Sequence, residues 1–188
     1  MSFFPMYIDM SKLKILLVGG GSIATEKIEK LLDFTENITI IAPFISEPLR
    51  EIIKDKNLSY KLRPYMSGDI NGFDIVIIAT DTIKIHKEIY DESRGSRTLV
   101  NSVDNTAYCD FIFPSYIKRG DLTISFSTSG SSPAFAKQIK EYFEHKIPKN
   151  IDGFLENMKI LREEIPKGKN RMRKFEKIVK DYMNKNFS

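Results

Sequence analysis

A chain of 188 residues, 41% hydrophobic and 29% charged, has the composition of an ordinary globular protein with room for one large domain or one and a half. No apolar run approaches the ~20 residues of a membrane span, and the opening MSFFPMYIDMSK lacks the long apolar core of a secretory signal. Its single cysteine, Cys109, excludes an internal disulfide and suits a reducing cytoplasm, while two histidines, His86 and His145, give no multi-histidine metal site. The formal charge of +4 is uneven: residues 146–188 carry twelve Lys/Arg against six Asp/Glu. Such a basic end is either a solvated helical face or an attractor for a polyanion. Aromatic residues are not interleaved with the basic ones, so no nucleic-acid partner is expected.

In chain order, Lys12–Val18 is a short apolar run ending in Gly19-Gly20-Gly21, the pattern of a strand covered on both faces. Residues 22–32 follow as an amphipathic helix, with Ala24, Ile28, Leu31 and Leu32 at helical spacing. Residues 37–42 read as a second strand stopped by Pro43, 46–56 as a helix, and 58–62 as an outer strand. Phe73–Ala79 is a fourth, strongly apolar strand, followed by a helix near 83–94 and a fifth strand at 98–103. This alternation predicts an α/β fold, a Rossmann-type parallel sheet with right-handed crossovers. The rhythm then changes. Phe111-Ile112-Phe113 and residues 122–126 read as hairpin strands about a turn at Lys118–Asp121. Ser132-Pro133 opens a helix, with Ser as N-cap and Pro in first position, and helices near 151–164 and 169–186 complete the chain. The expected organisation is a nucleotide domain over 1–113, a small α+β segment over 114–148 and a helical carboxyl-terminal region over 149–188.

Gly19-x-Gly21-x-x-Ala24 stands directly after the first strand and opens the first helix, where a dinucleotide fingerprint belongs. Gly19 permits the tight turn, Gly21 lets a pyrophosphate approach, and Ala24 lets helix and strand pack closely. The free amides at Ser22 and Ile23 complete the anion site at the helix N-terminus. The acid that usually binds the adenosine ribose at the end of the second strand is absent. Ala42-Pro43-Phe44 stand there instead, leaving the ribose to backbone and to hydroxyls such as that of Ser46. NAD is the expected cofactor, with NADP left open because no carboxylate repels a 2′-phosphate. Ala79 and Thr80 end the fourth strand at the nicotinamide end and leave room for the ring. Asp81 serves either there or as a cap of the next helix, and His86 on that helix reads as structural.

Asn101-Ser102-Val103-Asp104-Asn105 follows the fifth strand at the same edge of the sheet. A carboxylate there suits a proton acceptor if its neighbours desolvate it, although an Asp in a loop also serves simply as a turn residue.

Taken in order, Val18–Lys27, Ile78–Asp81, Asn101–Asp104, Phe111–Ser115 and Ser127–Ala134 resemble the precorrin-2 dehydrogenases and the N-terminal region of sirohaem synthases. The resemblance implies NAD-dependent oxidation of precorrin-2 to sirohydrochlorin, and in some members insertion of Fe²⁺ into that product. It implies that Asp104 is catalytic, and that Asn101 and the small-residue loop Thr128, Ser129, Gly130 serve the tetrapyrrole. It further implies a homodimer with exchanged segments, and methylation of the tetrapyrrole by another protein, since no methyltransferase domain follows. Lys118, Arg119, Lys137 and the basic helical end are candidates to attract the eight carboxylates of precorrin-2. The expectation is thus a cytoplasmic enzyme with a tetrapyrrole substrate and no membrane partner. The competing reading from another class is a regulatory module that senses NAD(H) without catalysis.

Overall fold

The computed structural model describes residues 3–103 and 105–187. Five short strands build a parallel sheet: β1 (Ile15–Val18), β2 (Ile38–Ala42), β3 (Ser59–Leu62), β4 (Ile75–Ile78) and β5 (Leu99–Ser102), in the spatial order β3-β2-β1-β4-β5. Three helices connect them: α1 (Ser22–Leu32), α2 (Glu47–Asp55) and α3 (Ile83–Ser93). The strand order reverses between β1 and β4, which places the switch point of the sheet beside the glycine turn. The Rossmann-type fold expected from the sequence is therefore present.

Apolar residues without a polar alternate position force both faces of β1 and β4 to be covered, and every residue of these two strands is buried. Register then aligns Leu16 with Val76, Val18 with Ile78, and Val76 with Val100. On that face they pack with Ile41, Ile70 and Ile89 of α3, while strand alternation turns Ile15 and Leu17 to the opposite face. Each such side chain contributes about 1.5–3 kcal/mol on burial. The outer strand β3 is exposed along its whole length, as its mixed sequence Ser-Tyr-Lys-Leu demands.

The chain divides into two units, Phe3–Ile112 and the residues from Phe113 onward. In the second unit, β6 (Ser115–Arg119) and β7 (Leu122–Phe126) form an antiparallel hairpin accompanied by α4 (Pro133–Glu144), α5 (Ile151–Glu164) and α6 (Lys169–Asn186). Here one sequence expectation needs correction: Phe111-Ile112-Phe113 is not a strand. Arg119 pairs directly with Leu122, so the turn is only Gly120-Asp121 and the first strand immediately precedes it. Gly120 has φ +55°, and a Cβ there would lie 3.0 Å from that of Asp152, so glycine fits this two-residue turn best. Ile117 buries its side chain with Ile147 and Ile151, and Phe154 stacks on Tyr182 at 3.8 Å between centroids. The Ser132 hydroxyl accepts from the Phe135 amide at 3.2 Å, the N-cap that its position before Pro133 predicts. The Arg119 guanidinium donates to the Glu144 and Ile147 carbonyls at the end of α4, so this cation is engaged within its own unit.

Candidate dinucleotide site and its cavity

The site begins at the turn between β1 and α1. Gly19 donates its amide to Ile41 of β2 at 3.0 Å, and Val18 accepts from the Ala79 amide at 2.8 Å, so the turn is fastened to both neighbouring strands. Gly19 has φ +133°, and an added Cβ would lie 2.0 Å from the Ala79 carbonyl oxygen. A Cβ at Gly20 would lie 1.9 Å from the Phe44 carbonyl oxygen. Gly21 differs, since a Cβ there meets no atom within 4 Å. The first two glycines thus serve close packing of backbone on backbone, and the third leaves its side-chain volume open to a ligand.

Gly21 is the N-cap of α1 and offers no side-chain cap, and the first helical bond runs from the Thr25 amide to the Gly21 carbonyl at 3.0 Å. The amides of Ser22 and Ile23 precede that bond and have no acceptor within the helix. Together with the helix dipole they form the chemistry of an anion site, and the open face at Gly21 gives a pyrophosphate room to reach it. The residues present therefore fit a dinucleotide. The Thr25 hydroxyl donates to the Gly21 carbonyl at 3.0 Å and lies 3.3 Å from the Ser46 hydroxyl, while the Ser46 amide donates to Gly20 at 2.8 Å. These bonds hold the start of α2 against the glycine turn. Ala42 and Pro43 stand at the end of β2 on that side, and Ala42 is buried.

A cavity of about 250 Å³ opens at the carboxyl ends of β4 and β5. Ile23 of α1, Ala79, Thr80 and Asp81 after β4, His86 of α3, and Val103 and Asn105 after β5 line it. The expected pyrophosphate residue Ile23 and the expected nicotinamide residues Ala79 and Thr80 are therefore brought to one cavity. Asp104 lies outside the described residues, but its chain neighbours Val103 and Asn105 both belong to the lining.

Asn101 is 5% exposed, and its amide donates to the Phe111 carbonyl at 2.9 Å, fixing the segment after β5. Cys109 clasps the same strand end: its thiol donates to the Ser102 carbonyl at 3.1 Å and accepts from the Ser102 amide at 3.2 Å. Burial pushes the Cys109 thiol pKa up, the Ser102 contact opposing it. Thr128, Ser129 and Gly130 belong to the second unit, in the loop between β7 and α4. Ser129 and Gly130 have φ of +51° and +86°, and the Ser131 amide closes the turn on the Thr128 carbonyl at 2.9 Å. Sequence reasoning did not place His86, Val103 and Asn105 on the cavity. His86 carries no local signal of its role, because only the folded sheet brings the Thr80 carbonyl after β4 and the Ser102 hydroxyl of β5 to the two sides of its ring. Among the described residues no group of His, Cys, Asp and Glu side chains is arranged to hold a metal, and no helix is long and apolar enough to cross a membrane.

Comparison with known proteins agrees with this arrangement. Residues 6–115 match the model of an NAD(P)-binding family, and residues 119–145 match that of the sirohaem biosynthesis protein central region. A solved structure named SirC, precorrin-2 dehydrogenase, superposes with a TM-score of 0.77 at 25% identity, covering 92% of this chain and 86% of its own. The chain belongs to the family of precorrin-2 dehydrogenases and sirohaem synthase N-terminal regions. Among the family's curated members, the siroheme synthase of Pseudoalteromonas atlantica is 31% identical over 151 residues, which is 80% of this chain and 33% of that protein. The siroheme synthase of Blochmanniella pennsylvanica is 33% identical over 155 residues, 82% of this chain and 32% of its own. The chain thus spans about a third of the length of these relatives. As a family member it has a domain for a nicotinamide cofactor.

Proposed function

We propose that the chain oxidises precorrin-2 to sirohydrochlorin, with NAD⁺ taking a hydride and one proton passing to the protein or solvent. The observation that carries this reading is the convergence of Ile23 in the first turn of α1, Ala79, Thr80 and the residues flanking Asp104 on one cavity. When bound, the dinucleotide supplies the hydride acceptor. The chain's own residues do the rest. Gly21 with the Ser22 and Ile23 amides holds the pyrophosphate, the Ala42-Pro43 corner receives the adenosine ribose, and the small residues Ala79 and Thr80 admit the nicotinamide. NAD is assigned over NADP on the family resemblance, since the bare corner at Ala42-Pro43 repels neither.

Asp104 is assigned as the catalytic proton acceptor, a role supported by Val103 and Asn105 on the cavity wall. We assign Asn101 to the substrate side through the loop that it holds, and Thr128, Ser129 and Gly130 to the tetrapyrrole itself. The working form is assigned as a homodimer in the cytoplasm. Support comes from the exposed Phe135, Tyr142, Met172 and Met183 of the second unit and from the unpaired thiol of Cys109. Fe²⁺ would be a second substrate, inserted into sirohydrochlorin in a step separate from oxidation.

The experiment is an anaerobic reaction of protein, NAD⁺ and precorrin-2, run with and without Fe²⁺. NADH and the sirohydrochlorin spectrum should appear together in equal amounts, and loss of that spectrum on adding Fe²⁺ would score insertion. Tight NADH binding without any oxidation would instead favour the regulatory module.

A further inference from the structure

His86 is 4% exposed, yet both nitrogens of its ring are engaged. Nε2 lies 2.6 Å from the carbonyl oxygen of Thr80, just past β4, and Nδ1 lies 2.6 Å from the Ser102 hydroxyl at the end of β5. A carbonyl oxygen only accepts, so Nε2 carries a proton and donates it. In the neutral ring Nδ1 is then a bare acceptor, and the Ser102 hydroxyl donates to it. Ser102 is itself 3% exposed, and its backbone is clasped by the Cys109 thiol.

The ring therefore ties two strand ends from the helix packed over them. Both ends lead to the cavity, whose lining includes Thr80, Val103 and His86 itself. An apolar side chain would satisfy the packing of α3, but it would leave the Ser102 hydroxyl buried without this acceptor.

We propose that His86 is a positioning residue, an Nε2-protonated imidazole that fixes the spacing between Thr80 and the Ser102–Val103 strand end where both meet the cavity. This rests on the reading above for the identity of the reaction, but the tautomer and the bridge stand without it. The grip on pyrophosphate lies at the glycine turn, so loss of the bridge disturbs the redox ring's seat and spares overall affinity. A displacement of about 1 Å at a reacting centre costs on the order of 100-fold in rate.

The test compares His86→Leu, His86→Gln and Ser102→Ala with the unaltered protein, using NADH as the probe. Imidazole ¹⁵N spectra should show a protonated Nε2 and an unprotonated Nδ1 whose signal moves in Ser102→Ala. His86→Leu should keep the NADH dissociation constant within about threefold, while the emission of bound NADH shifts toward that of free NADH. Its kcat should fall by about tenfold or more, with KM for NAD⁺ little changed. His86→Gln, which keeps a donor for Thr80, should recover part of both readouts. If His86→Leu does not fold, Ser102→Ala carries the comparison, because it removes one partner and adds no bulk. An Nδ1-protonated ring, or variants with unaltered emission and kcat, would overturn the proposal. So would a loss of NADH affinity beyond tenfold. Unaltered protein that binds NADH but never oxidises precorrin-2 sinks the proposed reaction alone, and the NADH emission then decides the role of His86.

Discussion

Gly19 and Ala79 meet backbone to backbone: a Cβ on Gly19 would stand 2.0 Å from the Ala79 carbonyl oxygen, where φ is already +133°. Gly21, two residues on, faces open space. The two glycines should therefore fail in different ways. Gly19→Ala should cost about 3 kcal/mol in stability through strain and overlap, lowering the melting temperature by roughly 5–10 °C. Gly21→Leu should cost only about 1 kcal/mol at the helix N-cap, yet weaken NADH binding by about tenfold or more by blocking the amides. Thermal melts and NADH titrations of both variants check this.

For Asp104 the expectation is a loss of rate without a loss of grip. Asp104→Asn should reduce turnover by about 10²–10⁴, the worth of a positioned base, while the NAD⁺ dissociation constant stays within about threefold. Initial rates and calorimetric titration separate the two. Full activity in this variant would leave Asp104 a turn residue.

Asp69 gives a pH prediction that concerns stability. Arg63 donates to both of its carboxylate oxygens at 2.6 Å, and the Met66 amide adds a bond at 2.9 Å. The Arg63 hydrogen bonds hold the Asp69 carboxyl below the usual carboxylate range, with burial opposing them. A lowered folded-state pKa means that the contribution is fully present above the unfolded value of about 3.9 and is lost as pH falls through the folded one. Asp69→Asn should therefore lower stability at pH 7 by about 1–2 kcal/mol and flatten its decline in acid. Urea unfolding between pH 7 and pH 3 measures both. A parallel shift at every pH would contradict the assignment.

Cys109 should be a slow nucleophile. Burial raises its thiol pKa and so lowers the thiolate fraction at neutral pH. Alkylation by iodoacetamide at pH 7 should be at least about tenfold slower in the folded protein than in urea, and should accelerate above pH 9. Equal rates would show that the clasp on Ser102 is open in solution.

Much of this fold is legible in the sequence because its strands are continuous apolar runs bounded by Gly or Pro. β1, β2 and β4 follow from that pattern, the helix after Gly21 follows from its apolar spacing, and β5, Leu-Val-Asn-Ser, follows from its place in the alternation of strand and helix. The hairpin is less legible. β6 ends in Lys118-Arg119, which read as turn residues, and Arg119 owes its place to the carbonyls ending α4. Phe111-Ile112-Phe113 reads as strand but follows Asp110, which accepts from the Val100 amide and from Arg94. The Phe111 carbonyl is taken by Asn101. Those side-chain bonds hold the segment where a ladder would otherwise form. The site divides in the same way. Gly21 and Ile23 belong to a local motif with fixed spacing, and Ala79 and Thr80 are found as the end of an apolar strand. The packing demand at Gly20 comes from Phe44, and the bridge of His86 joins Thr80 to Ser102; only the folded chain brings these together.

The most direct measurement is a crystal structure of the protein with NAD⁺. Its map should show the pyrophosphate against the Ser22 and Ile23 amides and the nicotinamide beside Ala79 and Thr80, in the cavity that Val103 and Asn105 help to line. A dinucleotide bound elsewhere, or a nicotinamide ring turned away from that cavity, would contradict the proposed site.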